Sequence, residues 1–373
     1  MIPVVGRSTR RPPGSLLPEF PWDTLAQVRE RASTHPDGLV DLTVGTPVDP
    51  VAPVIREALA AESARPGYPT TVGTPALREA MVSSLARRYD VTGLTTDAVL
   101  PVIGTKELIA GLPAQLGVGP GNTVVIPEVA YPTYEVGALL AGASVTRADS
   151  LLQLGPSTPT LMFINSPSNP TGKVLGIDHL RKVVGWARER GVILVADECY
   201  LGLIWEGEAL SILDPRVCDG DHTGLLAVHS LSKTSNLASY RAGFVAGDRE
   251  LVGELLTVRK HAGLMMPLPV QVAMTAALVD DAHEQAQREI YRARRATLKP
   301  AVEAAGFRVD HSEAGLYLWA TRDEPCRATA DWFADRGILV APGEFYGARG
   351  GQHVRIALTA TDATIDEAAS RLA

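Results

Sequence analysis

The sequence predicts an α/β fold: a large domain with a mostly parallel central sheet sandwiched by helices, followed by a smaller α+β domain. Continuous apolar runs of strand length, such as TVVIP and VILVADE, are typical of strands buried on both faces. Segments with apolar residues at helical spacing lie between these runs, and alternation of strand and helix indicates a mainly parallel sheet. After about Met266 a long helical stretch and then short strands indicate the second unit.

Each element of the large domain has its own local signal. The segment TPALREAMVSSLARRY begins with Thr74 as a helix N-cap and Pro75 at the first helical position. The segment DHLRKVVGWARERG carries a spaced apolar face and ends at Gly191, a residue type that favours helix termination. The runs TVVIP, TLMFIN, VILVADE and LLAVHS are predicted to be the strands between such helices.

The remainder of the chain is predicted to form an arm and the smaller unit. One helical stretch is expected from Val270 to Ala305, with short strands at GFRVD, GLYLWAT, GILVAP and HVRIALT. The first residues are rich in proline and glycine, which indicates an arm or a contribution to the smaller unit. We therefore divide the chain into an N-terminal arm, residues 1–40, a large domain, residues 41–266, and a small C-terminal domain, residues 267–373.

Composition and charge argue against several classes of protein. The 373 residues carry a formal net charge of −7, and the short basic cluster RSTRRPPG does not indicate a nucleic-acid surface. The chain lacks the apolar stretch of a secretory signal and any run of about 20 apolar residues for a membrane span, so we expect a cytoplasmic protein. The cysteines and histidines lack metal-ligand spacing, so we expect no metal site.

Polar side chains follow three of the predicted strands. Asn169 comes after TLMFIN, Asp197 and Tyr200 come at the end of the VILVADE strand, and Lys233 comes after LLAVHS. Ligands of open α/β sheets bind at the carboxyl ends of the strands, so these side chains are expected to share one site. Taken singly, Asn169 could form only a turn and Asp197 only a helix cap. Tyr200 could be a core ring, and Lys233 a solvated surface charge.

Together with other motifs, these residues resemble the class I and II aminotransferases over nearly the whole chain. The resemblance is carried by GYPTTVGTPALREAM, VIGTKELIAGL, PEVAYPTYEVGALLAGA, SLSK with an arginine eight residues after the lysine, and HVRIALT. The stretches VGTPVDP and HVRIALTATD are most similar to N-succinyldiaminopimelate aminotransferases of the actinobacterial type. The resemblance implies fold type I of the transferases that depend on pyridoxal 5′-phosphate (PLP), and a homodimer with shared active sites.

The resemblance implies a role in cofactor chemistry for several matching residues. Lys233 matches the lysine that forms a Schiff base with the PLP aldehyde and later carries the proton. Asp197 matches the carboxylate that keeps the pyridine nitrogen protonated. Asn169 and Tyr200 match residues that hydrogen-bond the ring oxygen O3′, and Tyr131 matches the aromatic residue on the ring face.

Other matching residues are implied to bind the phosphate and the substrate. The phosphate site comprises backbone N–H groups of Thr105 and Lys106, side chains of Ser230, Ser232 and Arg241, and Tyr68 from the neighbouring subunit. Arg355 matches the arginine that binds the substrate α-carboxylate, and Gly45 and Asn169 match residues beside the substrate. The segment LLPEFPW and Glu128 are near positions that touch substrate in relatives, whereas Cys199 is expected to be a packing residue.

The expected reaction is amino transfer between L-glutamate/2-oxoglutarate and N-succinyl-LL-2,6-diaminopimelate/N-succinyl-2-amino-6-oxopimelate, a step of lysine and diaminopimelate synthesis. The alternative is a related aminotransferase recruited to a specialised pathway, which would keep the cofactor residues and change the distal contacts. Racemisation, β-elimination and decarboxylation use the same cofactor, and a PLP-binding regulator without turnover is a different class again. A nucleotide-binding enzyme is disfavoured, because GVGPGN follows a helix and NPTGKV lacks the first glycine and the hydroxyl residue of a P-loop.

Overall fold

The computed structural model describes residues 12–373, so most of the basic cluster RSTRRPPG lies outside the described part. The described strands, in chain order, are β1 Val40–Asp41, β2 Val99–Val102, β3 Thr123–Ile126, β4 Ser144–Arg147, β5 Leu161–Asn165, β6 Ile193–Asp197, β7 Leu225–Ser230, β8 Gly243–Gly247, β9 Arg308–Val309, β10 Tyr317–Thr321, β11 Ile338–Leu339, β12 Ala341–Pro342 and β13 His353–Ala357. They form a seven-stranded, a four-stranded and a two-stranded sheet.

The helices lie between and after these strands. They are α1 Ala26–Ser33, α2 Pro53–Ala61, α3 Pro75–Tyr89, α4 Thr105–Gln115, α5 Thr133–Ala141, α6 Leu151–Leu154, α7 Ile177–Arg190, α8 Pro215–Cys218, α9 Leu231–Thr234, α10 Arg249–Ala262, α11 Leu268–Val279, α12 Ala282–Ala304, α13 Cys326–Ala334 and α14 Asp362–Leu372. The predicted N-cap Thr74 accepts a hydrogen bond from the N–H of Leu77 at 3.2 Å. Gly191 ends α7 in the left-handed conformation, with φ of 64°.

The seven-stranded sheet has the order β2-β8-β7-β6-β5-β3-β4. Strand β8 runs antiparallel to its neighbours β2 and β7, and the other neighbouring pairs are parallel. Buried side chains alternate between the two faces: on β6, Leu194 packs with α2, α3, α7 and α11, whereas Val195 packs with α4, α5 and α10. The predicted α/β fold, with a mostly parallel sheet between helical layers, is therefore confirmed.

The smaller unit combines the C-terminal strands with the described end of the N-terminal arm. Its antiparallel sheet has the order β12-β13-β10-β9. Strand β1 pairs in parallel with β11, so that Val40 lies opposite Ile338. Leu25 packs against Trp319, and Val28 packs on the cluster that contains Phe333. The arm residues from Leu25 onward thus contribute to the core of this unit.

The single helical stretch predicted from Val270 to Ala305 is wrong, because the chain forms two helices there, α11 and α12. Asp280 adopts an extended conformation after α11, and its carboxylate accepts hydrogen bonds from the backbone N–H groups of Ala282 and His283 at the start of α12. Helix α11 buries its side chains, among them Met274, in the cluster beneath the large sheet. The division into domains, with its second boundary at residue 266, stays a prediction.

Candidate active site

A cavity of about 1270 Å³ lies at the carboxyl ends of the large-sheet strands, with the smaller unit forming its other wall. Twelve of the thirteen residues predicted for the site line this cavity: Gly45, Thr105, Lys106, Tyr131, Asn169, Asp197, Tyr200, Ser230, Ser232, Lys233, Arg241 and Arg355. They come from at least six loops and strands, so the fold brings distant parts of the sequence to one place. The thirteenth, Tyr68, is 98% exposed and does not line the cavity.

Lys233 lies in the short helix α9, directly after β7. The Ser230 hydroxyl caps this helix by accepting a hydrogen bond from the N–H of Ser232 at 3.1 Å. The lysine Nζ donates a hydrogen bond to the Gly45 carbonyl. Burial lowers the pKa of Lys233, and the nearby Arg355 acts in the same direction. A lowered pKa increases the fraction of neutral amine, the form that attacks a carbonyl.

Asp197 ends β6 with a buried carboxylate that no cation pairs with in residues 12–373. Its Oδ2 accepts a hydrogen bond from the Tyr134 hydroxyl at 2.7 Å, and its Oδ1 accepts one from the backbone N–H of Cys199 at 3.2 Å. Burial raises the pKa of Asp197, although both hydrogen bonds oppose that shift. A cationic group that enters the cavity and pairs with this carboxylate would offset the free-energy cost of burying it. Cys199, expected only to pack, is buried and contributes its backbone to the site.

The start of α4 forms a cradle with Arg241. Gly104 precedes the helix with φ of 90°, a conformation that favours glycine. A Cβ on Gly104 would overlap the Arg241 guanidinium, so the missing side chain lets the cation lie against the free N–H groups of the helix. Arg241 Nη1 donates to the Ala238 carbonyl at 2.8 Å, which holds the side chain in place. A phosphate dianion could accept hydrogen bonds here from the N-terminus of α4, from the Arg241 guanidinium and from the nearby Ser230 hydroxyl.

Arg355, on β13, reaches the cavity from the opposite wall and is 3% exposed. Its Nη1 donates to Asn169 Oδ1 at 3.0 Å, and its Nη2 donates to the Thr43 carbonyl at 2.6 Å. Within the described residues no carboxylate forms an ion pair with it. A buried cation that has only neutral partners is suited to receive an anionic group of a ligand.

Aromatic side chains form the walls between the lysine and the arginine. The Tyr200 and Tyr317 hydroxyls lie 3.2 Å apart, and the guanidinium carbon of Arg355 lies 4.0 Å from the centre of the Tyr317 ring. The Tyr131 ring meets Tyr134 edge to face at 5.9 Å, and burial raises the pKa of Tyr131 to about 12. These contacts place rigid apolar surfaces on the sides of the cavity, where a flat ring can stack.

Sequence reasoning missed Tyr134, Tyr317 and Thr43. Tyr134 lies within the motif PEVAYPTYEVG, three residues after Tyr131, and this helical spacing is the signal that could have found it. Tyr317 was part of a predicted strand, GLYLWAT, but nothing local indicates that this strand faces the large sheet. Thr43 contributes only its backbone carbonyl, which leaves no mark in the side-chain sequence.

The outer part of the cavity is lined by the segment from Leu17 to Trp22, as the motif LLPEFPW suggested. Glu128 does not line it. Two ion pairs lie there, Arg147 with Glu135 at 2.7 Å and Arg327 with Glu344 at 2.6 Å. Lys106 Nζ, by contrast, makes no hydrogen bond or ion pair within residues 12–373, and lies 5.8 Å from the centre of the Phe20 ring.

The described residues contain neither a metal-binding cluster nor a membrane-spanning helix. In residues 12–373 no group of three or more His, Cys, Asp or Glu side chains is arranged to hold a metal ion. None of the helices described is both long enough and apolar enough to cross a membrane. The lysine, carboxylate, arginines and hydroxyls that line the cavity fit PLP: an amine for the aldehyde, a buried carboxylate for the ring nitrogen, and a phosphate cradle.

Residues 37–372 match the family described as aminotransferase class I and II. The chain is 69% identical over 356 residues to a probable aminotransferase of Mycobacterium tuberculosis, covering 95% of this chain and 85% of the relative. It is 58% identical over 356 residues to OxyQ, the 4-dedimethylamino-4-oxo-anhydrotetracycline transaminase of Streptomyces rimosus, covering 95% and 99%. The solved structure of a probable N-succinyldiaminopimelate aminotransferase from Thermus thermophilus matches with a TM-score of 0.85 at 27% identity, covering 95% of this chain and 99% of that one. The chain belongs to the class I and II aminotransferases, whose members use pyridoxal 5′-phosphate as cofactor.

Proposed function

We propose that this aminotransferase moves an amino group between L-glutamate/2-oxoglutarate and N-succinyl-LL-2,6-diaminopimelate/N-succinyl-2-amino-6-oxopimelate. One observation supports this reaction type above the others: Lys233 and Arg355 line the same cavity. The lysine can bind the cofactor, and the arginine has no carboxylate partner within the described residues. Both amino acids carry a carboxylate beside the reacting amine. One arginine can therefore bind each of them in turn during a two-step cycle.

Lys233 is proposed to hold the cofactor and to move the proton. PLP, when bound, supplies an aldehyde and an electron-withdrawing ring that stabilises negative charge on the substrate Cα. Lys233 would hold that aldehyde covalently, since its Nζ is in the cavity and its lowered pKa favours the neutral amine. Once the substrate has displaced it, the same amine would be free to take a proton from the substrate Cα and to deliver it to the carbon that was the cofactor's aldehyde. The hydrogen bond to the Gly45 carbonyl orients it.

Asp197, Tyr200 and Arg241 would hold the ring and the phosphate, with the Tyr200 hydroxyl as a hydrogen-bond partner of the ring oxygen O3′. Asp197 would keep a proton on the ring nitrogen, because a buried carboxylate gains most from a cationic N–H partner. The Tyr134 hydroxyl and the Cys199 N–H keep that carboxylate in one orientation. The Arg241 guanidinium and the start of α4 would bind the phosphate through charge-assisted hydrogen bonds.

The outer cavity supports a substrate with distal negative charge. The succinylated keto acid has two carboxylates far from the reacting carbon, and glutamate has one. Three cations line the outer cavity: Lys106, Arg147 and Arg327. Lys106 has no carboxylate partner among the described residues, so it can bind a distal carboxylate without breaking an existing ion pair. The likeness to the Thermus thermophilus structure supports the same substrate class.

A second candidate is amination of a fused-ring ketone, which the 58% identity to OxyQ favours. Aromatic rings in the outer cavity support it as well. The Phe20 and Trp22 ring centres lie 5.5 Å apart, and those of Trp22 and Phe345 lie 5.6 Å apart. Such a surface could stack on a polycyclic substrate. In this case the cofactor residues keep their roles, and Arg355 would bind the carboxylate of the amino donor but not the ring ketone.

We also propose that the enzyme is a homodimer with shared active sites. Tyr68 is 98% exposed and lies outside the cavity of its own chain. This position is expected for a residue that binds the phosphate in the active site of the neighbouring subunit. Val44 and Val48, near the cavity mouth, are about half exposed, which is a cost that a subunit interface would remove.

Two half-reactions test the substrate. L-Glutamate is added to the PLP-loaded enzyme and the loss of the bound cofactor's long-wavelength absorbance is followed. The resulting amine form is then mixed with the succinylated keto acid, with pyruvate, or with an anhydrotetracycline-type ketone. Return of the absorbance with the succinylated acid at the highest kcat/KM supports the first proposal. Return only with the ring ketone would replace it by the second, and return only with pyruvate would contradict both.

A variant pair tests the distal contact. Lys106→Met should lower kcat/KM for the succinylated acid by about tenfold, the value of one charge-assisted hydrogen bond, and leave kcat/KM for pyruvate nearly unchanged. Lys260→Met, which removes the same charge from an exposed position on α10, is the matched control. An equal loss of kcat/KM for both acids would show that Lys106 does not bind the distal carboxylate of the substrate.

A further inference from the structure

Tyr317 is the first residue of β10, a strand of the smaller unit, yet its side chain reaches the active-site cavity. It is 4% exposed and pairs with Ala357, two residues beyond Arg355 on the adjacent strand β13. The next residue along β10, Leu318, points to the other face and joins the core of the smaller unit. Tyr317 therefore connects the sheet of the smaller unit to the active-site cavity at the carboxyl ends of the large-sheet strands.

The hydroxyl of Tyr317 has a position that packing alone does not require. It lies 3.2 Å from the Tyr200 hydroxyl, with the two rings edge to face and their centres 6.0 Å apart. A Cβ on Gly45 would overlap this hydroxyl, so residue 45 has to lack a side chain for the oxygen to be there. The Gly45 carbonyl meanwhile receives the hydrogen bond from Lys233. A phenylalanine ring would fill the core equally well without placing a polar atom at this junction.

The ring of Tyr317 supports the cation of Arg355. The guanidinium carbon lies 4.0 Å from the ring centre, and 5.0 Å from that of Tyr346. Arg355 is buried and has two neutral acceptors, Asn169 Oδ1 and the Thr43 carbonyl. In a desolvated site the negative face of an aromatic ring attracts a cation strongly. The ring thus holds the guanidinium in one plane before an anion arrives.

We propose that Tyr317 is a positioning residue of this aminotransferase, whose ring orients Arg355 for the substrate carboxylate and whose hydroxyl orients the Tyr200 hydroxyl toward the cofactor. The inference rests on the proposed function for the roles of Arg355 and Tyr200. The two effects belong to different atoms of one side chain, so different substitutions separate them.

The hydroxyl pair lies among several titratable groups, which are Lys233, Arg355, Cys199, Tyr131, Tyr291 and Tyr346. Burial raises the pKa of Tyr317, but Arg355, Lys233 and the hydrogen bond with Tyr200 together lower it, whereas burial raises the pKa of Tyr200. The two hydroxyl oxygens lie 3.2 Å apart and either can be the donor, so the hydrogen bond fixes the position of the Tyr200 hydroxyl relative to β10 in both cases.

The ring is tested by binding rather than turnover. 2-Oxoglutarate binds the PLP-loaded enzyme without reacting, because both carry a carbonyl, and its Kd is measured by calorimetry. Tyr317→Leu should raise this Kd by roughly tenfold to thirtyfold, whereas Tyr317→Phe should change it by less than about twofold. Tyr317→Met removes the ring with less loss of volume and replaces the leucine variant if that variant loses its cofactor or its cooperative unfolding. A ring-less variant that binds 2-oxoglutarate as tightly as the wild type would overturn the role of the ring.

The hydroxyl is tested by a double-mutant cycle. The readout is the pH midpoint of the absorbance change of the cofactor bound to Lys233. Tyr200→Phe should shift this midpoint, and Tyr317→Phe should shift it in the same direction by less. In the Tyr200→Phe background, Tyr317→Phe should cause no further shift, because its effect passes through Tyr200. Additive shifts, or no shift in Tyr317→Phe alone, would overturn the role of the hydroxyl.

Tyr89→Phe is the matched control, since it also removes the hydroxyl of a partly buried tyrosine, one that makes no hydrogen bond within the described residues and that lies outside the cavity. It should move neither readout. A wild-type enzyme that fails to bind 2-oxoglutarate would contradict the proposed glutamate/2-oxoglutarate half-reaction and not the inference. The cycle on the cofactor absorbance needs no substrate and would still decide the role of the Tyr317 hydroxyl.

Discussion

Glu198 is a carboxyl group whose replacement should stabilise the enzyme. It follows Asp197, is 3% exposed, and accepts a hydrogen bond through Oε1 from the N–H of Ile212 at 2.7 Å. Its Oε2 lies 3.4 Å from His229 Nε2, and neither atom has another partner in the described part of the chain. Burial raises the pKa of Glu198 from an ordinary 4.5 to about 8, and burial lowers the pKa of His229 to about 3. At neutral pH both groups are therefore uncharged.

The size of the stability change follows from the pKa of Glu198 in the unfolded chain, 4.5, and in the folded chain, about 8. Below pH 4.5 the carboxyl is protonated in the folded and the unfolded chain, so it contributes no pH dependence. Between pH 4.5 and about 8 the unfolded chain releases the proton and the folded chain retains it, so stability falls as pH rises. The loss is a factor of ten in the folding equilibrium for each pH unit, which at pH 7 amounts to on the order of 3 kcal/mol.

Glu198→Gln removes this pH-dependent loss of stability and keeps the shape of the side chain. The amide oxygen can still accept from the N–H of Ile212, and the amide N–H₂ can donate to His229 Nε2. We expect the variant to be more stable than the wild type by roughly 2–3 kcal/mol at pH 7, with the gain falling toward zero as the pH falls below 4.5. Glu198→Ala should instead destabilise, because it leaves the buried N–H of Ile212 without its acceptor.

The assay is urea unfolding of the PLP-loaded enzyme at one protein concentration, followed at half-unit steps from pH 5 to pH 8. Glu254→Gln, the same substitution at an exposed position of α10, is the control for loss of a negative charge. The difference between Glu198→Gln and wild type should grow steadily across this range, while that of the control should stay flat. A difference that does not change with pH would mean that Glu198 is ionised in the folded protein, and the reasoning would be refuted.

Four further predictions concern catalysis. Lys233→Ala should fold and still bind PLP, but lose the covalent link and lower turnover by several powers of ten; a persisting absorbance band of linked cofactor with near wild-type turnover would contradict this. Asp197→Asn should retain PLP and slow the proton-transfer step in single-turnover experiments by several powers of ten, whereas unchanged turnover would make the carboxylate structural. Arg355→Lys should lower kcat/KM for glutamate by about tenfold to a hundredfold in steady-state assays, because one of two charge-assisted hydrogen bonds is lost, and an unchanged value would remove Arg355 from the carboxylate site. Equal amounts of Tyr68→Ala and Lys233→Ala, unfolded and refolded together, should recover roughly one quarter of wild-type activity through hybrid dimers with one intact site; an active monomer in sedimentation would exclude this.

Much of the fold could be predicted from the sequence because its signals are local. A buried parallel strand has to be apolar along its length, and the helix after it has to carry one apolar face, so the alternation from Thr123 to Ser230 can be read directly. The same regularity places Asn169, Asp197 and Lys233 at one sheet edge, because parallel strands present their carboxyl ends together. The roles given to these residues came from the family resemblance and stay predictions.

The break between α11 and α12 shows where local signals end. The apolar spacing continues across Asp280, and only the extended backbone there, with its carboxylate capping the next helix, separates the two helices. Helix α11 then packs under the large sheet, whereas α12 contributes Leu298 to the core of the smaller unit. Which core a helix joins depends on the complementary surface that it meets, and that surface is built from residues far away in sequence.

The sequence by itself determined the elements and the residues that follow each strand of the large sheet. Only the tertiary structure decided which groups meet across the two units: Tyr134 with Asp197, Tyr317 with Arg355, and the Gly45 carbonyl with Lys233. The reason is physical. Spacing along a chain is fixed by the geometry of one helix or strand, whereas contacts between elements depend on how whole apolar faces pack, and packing is a property of the folded chain rather than of any one segment.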